Sequence, residues 1–285
     1  MKRLIIAVQK TGRLQEGSLE LLRECGLKVA YRAGQLKVIT SDYPAEILFL
    51  RNSDIPQYVA DGVVDIGIIG SNVLEETDFS VETVRKLGFS KCRLSFAAPK
   101  NAAIEHLQEL EGKRIATSYP NSVQKFLQRE GISAEIHTIS GSVEIAPSLD
   151  LADVIADIVS TGNTLFQNNL REVFSFLDSE AVLIKGKQFD PGKQALLDQL
   201  VFRIQSVLAG NENKYILLNA PKDQLENICR LLPGMKSPTI LPLAINSWVS
   251  IHSVVKQKEV WQTVQQLKAA GAEGILVCPI EKMVS

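Results

Sequence analysis

The chain has 285 residues, 45% hydrophobic and 22% charged, which is ordinary for a soluble globular protein and enough to bury a sizeable core in two or three domains. With 31 Lys plus Arg against 32 Asp plus Glu, the formal net charge is -1. Bulk attraction to nucleic acid or to an anionic membrane is therefore not expected, and any cationic site must be local.

In chain order, residues 4–8 form an apolar run of strand length. A loop carrying Lys10, Gly12 and Arg13 follows, then helical spacing over 14–25 that Gly26 ends. Two cations at a helix N-terminus oppose the helix dipole and point to an anionic partner, although solvated surface charges account for them equally well. Residues 37–40 and 45–51 read as strands, and Ser53, Asp54 and Pro56 open a short helix over 56–60. Residues 63–70 read as a buried strand running into the small-residue loop Gly70-Ser71-Asn72. Asp65 in that strand has the marks of a hydrogen-bonded structural acid, and Gly67 and Gly70 indicate close packing against the backbone. Strands at 92–98, 113–119 and 134–139 follow, with helices over 103–110 and 120–130. Ser140-Gly141-Ser142 opens a short helix that contains Glu144 and breaks at Pro147.

The stretch 152–165 organises this order. An apolar run with Asp157 in its second half turns into Ser160-Thr161-Gly162-Asn163-Thr164, and a helical pattern over 165–171 comes next. Such a loop gathers backbone N–H groups at the positive end of a helix dipole, which suits a phosphate. Gly162 allows close approach, and the hydroxyls of Ser160, Thr161 and Thr164 add donors. Asp157 beside it can accept from two adjacent sugar hydroxyls. The pattern therefore suits a ribose carrying a phosphate, against the simpler reading of a helix cap and a turn.

A strand at 181–184 and an amphipathic helix over 196–209 complete this part. The alternation predicts mostly parallel sheets with helices on both faces, in two lobes: 1–90 with 181–210, and 91–180. Ligands of such sheets collect at strand C-termini, here in the cleft between the lobes. The polar stretch Gly210-Asn211-Glu212-Asn213 marks a domain boundary, and 211–285 reads as a ferredoxin-like βαββαβ unit suited to regulation or assembly. Its loop at 233–239 is a place where backbone amides can be exposed. The 4 cysteines (Cys25, Cys92, Cys229, Cys278) and 3 histidines (His106, His137, His252) are scattered, which disfavours a zinc site and favours reduced thiols. Residues 1–13 hold too short an apolar run for a signal peptide, and no run reaches membrane-spanning length, so a cytoplasmic location is expected.

Several ordered motifs resemble one known family over nearly the whole chain. They are Lys10 with Gly12-Arg13-Leu14, and Arg51 with Asp54-Ile55-Pro56 and Asp61-Gly62-Val63-Val64-Asp65-Ile66-Gly67-Ile68. Next come Arg114-Ile115-Ala116-Thr117 with Tyr119-Pro120-Asn121, then Ser140-Gly141-Ser142-Val143-Glu144 with Ala146-Pro147. Leu151-Ala152-Asp153, Asp157, Ser160-Thr161-Gly162 with Thr164-Leu165, Ser237-Pro238-Thr239-Ile240 and Pro279-Ile280-Glu281-Lys282 follow. In these the chain resembles the long form of ATP phosphoribosyltransferase, the first enzyme of histidine biosynthesis. It departs where that family usually has glycine, at Ser90 and Asp150.

The resemblance implies an α/β protein with a bilobal catalytic core like that of type II periplasmic binding proteins and a C-terminal ferredoxin-like (ACT-like) regulatory domain. It implies that N1 of the ATP adenine displaces pyrophosphate from C1 of phosphoribosyl pyrophosphate with inversion. Mg2+, held mainly by substrate phosphates and water, accompanies the reaction. Histidine inhibits, and dimers exchange with hexamers. On this basis Asp157, with Asp153, holds the ribose, and Ser160, Thr161, Gly162, Asn163 and Thr164 cradle the 5-phosphate. Lys10 and Arg13 face pyrophosphate or ATP phosphates, joined by Arg51. Asp65, Gly70 and Tyr119 belong to the nucleotide side, and Glu144 stabilises ring charge or is only a structural acid. Asn219, Ser237, Thr239 and Gly274 are linked to histidine. A solute-binding module and an inactive amino-acid sensor are the rival classes.

Overall fold

Strand Leu4–Gln9 (β1) is apolar from Leu4 to Val8 and sits in the middle of a sheet, as a run buried on both faces must. Helix Arg13–Glu24 (α1) follows, then strands Lys37–Ile39 (β2) and Ala45–Leu50 (β3), helix Ile55–Ala60 (α2), strand Ile66–Gly70 (β4), helix Ser71–Glu76 (α3) and strand Val81–Lys86 (β5). The computed structural model describes residues 2–232 and 237–284. The chain then builds a second sheet from Cys92–Pro99 (β6), Arg114–Thr117 (β7), Glu135–Thr138 (β8), Val154–Val159 (β9) and Leu170–Ser179 (β10), with helices Pro120–Glu130 (α4) and Asn163–Gln167 (α5). Strand Ala181–Gly186 (β11) returns to the first sheet.

The six-stranded sheet runs β2-β3-β1-β4-β11-β5 and the five-stranded sheet β10-β6-β9-β7-β8. In the first, β3, β1 and β4 are parallel; in the second, β8, β7 and β9 are parallel. The expectation of mostly parallel sheets is corrected by the rest. Strand β11 is antiparallel to both β4 and β5, β2 is antiparallel to β3, and β6 is antiparallel to β9 and β10. A strand that comes back from the other lobe enters from the opposite end, and residue periodicity carries no trace of that direction.

Local differences have physical reasons too. The helix expected over 165–171 stops at Gln167; Asn169 takes φ 57°, and Leu170 and Arg171 already belong to β10. Residues 103–110 form only a single 3₁₀ turn, Leu107–Leu110. The segment after Gly70 is a helix, α3, rather than a loop. Glu76 at its end accepts hydrogen bonds from the Asn121 amide (3.0 Å), the Ser122 amide (2.9 Å) and the Ser122 hydroxyl (2.8 Å). A carboxylate of one lobe thus caps the first turn of α4 in the other, an arrangement worth about 1–2 kcal/mol.

Helix Gln194–Glu212 (α6) runs through the polar stretch that had marked a boundary, and strand Asn213–Pro221 (β12) begins at once. Asn213 is buried, and a side chain on Gly210 would meet the Ile280 carbonyl at 2.6 Å, so this stretch is packed rather than a linker. By contacts the chain forms two compact units, 1–20 with 27–194, and 21–26 with 195–285. In the second, β12, helix Leu225–Leu231 (α7), strands Thr239–Pro242 (β13) and Trp248–Lys256 (β14), helix Val260–Ala269 (α8) and strand Glu273–Pro279 (β15) give the expected βαββαβ order. Their antiparallel sheet runs β13-β14-β12-β15, with Ile216, Leu218, Ile251, Ile228 and Leu267 forming its core. Most of the loop at 233–239 lies outside the described residues. Among the described residues no helix is long and apolar enough to cross a membrane.

The two family glycine positions that this chain replaces both lie in the left-handed region, Ser90 at φ 50° and Asp150 at φ 57°. A Cβ is strained there, and glycine is not. Ser90→Gly is therefore expected to stabilise the protein by roughly 0.5–1 kcal/mol, the relief of strain less the added chain entropy. Chemical denaturation of the two proteins side by side checks it.

Candidate functional site

The C-terminal ends of the parallel strands β3, β1 and β4 share one edge of their sheet. In the second lobe the end of β9 meets the start of β6, Val159 opposite Arg93. The chain crosses between lobes at this edge, where Ser71 N–H donates to the Glu180 carbonyl at 2.9 Å. Strand β9 delivers Asp157 and then the loop. Gly162, at φ 80°, is the N-cap of α5, and a Cβ there would meet nothing within 4 Å, so its backbone angle and not crowding calls for glycine. The side chains of Thr161, Asn163 and Thr164 are exposed and make no hydrogen bond to the described residues apart from their backbone roles.

This loop lines a hollow of about 260 Å³ together with Asp157, Glu144 and Arg13. Arg13 comes from the other lobe, and its guanidinium donates to the Ser160 hydroxyl at 2.9 Å. The structure therefore brings Arg13 and Glu144 to the hollow already lined by Asp157 and residues 160–164. Asp157 is half-buried, accepts only the next amide, Ile158 N–H, at 2.8 Å, and has no cation partner among the described residues. Burial pushes its carboxyl above the ordinary 3.8, with the charge of Glu144 adding to the rise. Tyr119 lies close by, its phenol pushed up by burial and by the charge of Asp157.

Lys10 and Arg51 stand exposed at the same edge, where the Lys10 amide donates to the Leu50 carbonyl at 2.7 Å. They do not line the hollow. Two other acids are placed elsewhere. Asp153 precedes β9 and accepts the Arg114 amide at 2.9 Å and its guanidinium at 2.9 Å, which holds its carboxyl below the ordinary value. Asp65 precedes β4; it accepts Ile5 N–H at 2.6 Å and pairs with Lys193 at 2.6 Å. Both sit at the N-terminal ends of parallel strands, across the sheet from the hollow. Each is held by a cation, and neither lines the hollow.

A second hollow, of about 300 Å³, adjoins the first and shares Arg13, Ile158 and Ser160 with it. Gly70 lines it. Gln9, Asn52, Asn72, Lys91 and Ser179 line it too, and none had been singled out as a site residue. The available signal was positional, because Gln9 and Ser179 end strands, Asn52 and Asn72 follow them, and Lys91 precedes β6. Next to Asp157, Ser95 on β6 donates to Glu172 at 2.8 Å, and Glu172 also holds the Arg93 guanidinium, a network that fixes the strand beside the acid.

In the second unit Asn219 and Gly274 are brought together, a Cβ on Gly274 lying 3.4 Å from Asn219 Nδ2. Asn219 pairs with Ser250, and Thr239 with His252, so all four share one face of the sheet. Ser237 is exposed just before β13.

Comparison with known proteins follows this geometry. Residues 51–206 match the family model for ATP phosphoribosyltransferase, and residues 210–282 match that for its C-terminal domain. The ATP phosphoribosyltransferase of Cytophaga hutchinsonii is 52% identical over 99% of this chain and 98% of its own length. That of Bacteroides fragilis is 50% identical over 99% of both. Among solved structures, an ATP phosphoribosyl transferase complex (HisG:HisZ) from Thermotoga maritima matches with a TM-score of 0.60 at 28% identity, covering 71% of this chain and 96% of that one.

If Asp65 is structural, removing its cation should harm the fold alone. Lys193→Met, which strands a carboxylate whose side chain is 9% exposed, is expected to cost about 3 kcal/mol in stability. Thermal unfolding alongside ligand titration of the folded variant checks both halves of that expectation.

Proposed function

Because this chain belongs to the ATP phosphoribosyltransferase family, the pentosyltransferases of histidine biosynthesis, we propose that the first hollow holds the phosphoribosyl group of phosphoribosyl pyrophosphate for attack by N1 of the ATP adenine. The observation that carries this reading is Asp157: an acid without a counter-ion, lining the same hollow as the loop that Gly162 turns. A diol supplies two hydroxyl donors to such an acid, and a 5-phosphate supplies the anion that the amides and hydroxyls of 160–164 can bind.

The chemistry needs positioning and electrostatics more than proton transfer. N1 of adenine is a neutral nucleophile, so no strong base is required. As the C1–O bond to pyrophosphate breaks and the N1–C1 bond forms, positive charge builds on the ribose ring. Asp157 stabilises that charge while orienting the hydroxyls, and Glu144 on the same hollow adds to the negative field. Arg13, with Lys10 and Arg51 near the same edge, faces the departing diphosphate. Among the described residues no cluster of three metal-ligating side chains occurs. Asp157 and Glu144, the two carboxylates lining the hollow, would hold the outer ligands of a magnesium ion, which would neutralise leaving-group charge.

In the second unit the shared face of Asn219, Thr239, Ser250 and His252 is the proposed place of histidine inhibition, and assembly into dimers and hexamers is proposed for the whole chain. Pyrophosphate release from ATP and phosphoribosyl pyrophosphate, with and without histidine, tests both. No release overturns the catalytic assignment, and release indifferent to histidine overturns the regulatory one. Asn219→Ala is expected to weaken inhibition while the uninhibited rate holds.

Asp157 gives the sharpest expectation. A carboxyl raised by burial favours the folded state at low pH, below its unfolded value, and that contribution is lost as pH rises through the folded value. At neutral pH the charge is therefore a burden on stability. Asp157→Asn should lower turnover by about 10²-fold yet leave the neutral-pH melting point equal or higher. In the unmodified protein the acid limb of the pH–rate profile should lie above the ordinary carboxylate range. Turnover near normal in the variant would contradict the role.

A further inference from the structure

The second hollow holds two polar atoms with nothing to bond. Asn72 is only 3% exposed, and its Nδ2 has no hydrogen-bond partner among the described residues; the same is true of the buried Oδ1 of Asn52. Leaving such a group unmade is costly, so an unmet donor and an unmet acceptor lining one hollow mark a place built for a ligand that supplies the complements.

The orientation of Asn72 is fixed by its neighbours. The Ser179 hydroxyl accepts from the Asn72 amide at 3.1 Å and from the Ser71 hydroxyl at 3.2 Å, which leaves its own proton for Asn72 Oδ1 at 2.9 Å. Nδ2 is thereby the atom left over. Gly70 secures this geometry, since a Cβ there would lie 2.4 Å from Asn72 Oδ1.

We propose that Asn52 and Asn72 read the adenine of ATP on its N6/N7 edge: Asn52 Oδ1 accepts from the 6-amino group and Asn72 Nδ2 donates to N7. This rests on the function proposed above. That edge of adenine offers a donor beside an acceptor, whereas guanine offers two acceptors there, one of which would oppose Asn52 Oδ1. Reading the other edge would occupy N1, the attacking atom. Reading N6 and N7 leaves N1 free, and the shared wall of Arg13, Ile158 and Ser160 places the base next to the hollow that holds the sugar.

The test is a kinetic cycle across protein and substrate, using pyrophosphate release by the full chain. 7-Deaza-ATP lacks the N7 acceptor but keeps N1. The unmodified protein is expected to prefer ATP over it by about tenfold in kcat/KM. Asn72→Asp keeps the oxygen that Ser179 needs and removes the donor. In that variant the preference should fall to about unity, with KM for ATP raised and KM for phosphoribosyl pyrophosphate unchanged. Asn52→Ala gives an independent arm, should Asn72→Asp fail to fold: it should lose the preference in KM for ATP over purine riboside triphosphate, which lacks the 6-amino group, the preference in kcat that the amino group gives N1 being set aside. No preference in the unmodified protein, or a preference that survives in the variants, overturns the proposal while the enzymatic assignment stands. No pyrophosphate release with ATP itself overturns the assignment, and the proposal with it.

Discussion

A carboxylate held half-buried beside a second carboxylate, with no cation partner among the described residues, is the constraint around which the catalytic lobes are arranged. Asp157 has one backbone amide for company, and Glu144 makes its ionised form less favourable still. An acid with only a structural job would be expected to carry a partner, as Asp65 and Asp153 do. The environment of Asp157 makes sense when a substrate brings the complementary charge, because positive charge that develops only in the transition state then finds its stabiliser already in place.

The fold supplies the rest of that environment through strand direction. Parallel strands put the ends of β1, β3 and β4 on one edge, and β9 ends at the matching edge of the other sheet. Arg13 spans from the first to meet Ser160 on the second. The loop geometry asks little of its surroundings: Gly162 alone takes the left-handed angle, and its neighbours' side chains remain exposed for a ligand. The two hollows meet at Arg13, Ile158 and Ser160, so substrates in them would face each other over a common wall. Such an arrangement suits a reaction whose main demand is that two reactants be held in line.

Much of this was legible in the sequence, and the reasons divide cleanly. The strand–loop–helix at 154–167 could be read because the apolar run, the glycine and the hydroxyls each have one strong structural preference. The βαββαβ order of the C-terminal unit could be read because its apolar strand runs alternate with helical spacing. Strand β10 could not. Its sequence LREVFSFLDS begins inside a stretch with helical spacing, and only the left-handed turn at Asn169 separates the two. Strand β11 read as a strand but not as an antiparallel one, since orientation depends on where the chain has been, not on which residues it contains. Asn52 and Asn72 were passed over because an asparagine in a loop usually serves a turn, and only one buried side-chain atom in each, unmet among the described residues, distinguishes these two.

The acids make the same point in a form that applies beyond this chain. Asp65, Asp153 and Asp157 all sit in or beside apolar runs, and all three looked like candidates for ligand contact. Asp65 and Asp153 stand before their strands begin, Asp157 in the second half of one. In a parallel sheet that difference is a difference of edge. The starting edge of these strands gathers acids with cations and backbone amides: Asp65 with Lys193 and Ile5, Asp153 with Arg114. The finishing edge, where loops and helix N-termini collect, holds Asp157 with no cation partner among the described residues. Position along the apolar run thus separates the carboxylates held in ion pairs from the one that lines the hollow, when residue type and hydrophobic neighbours do not.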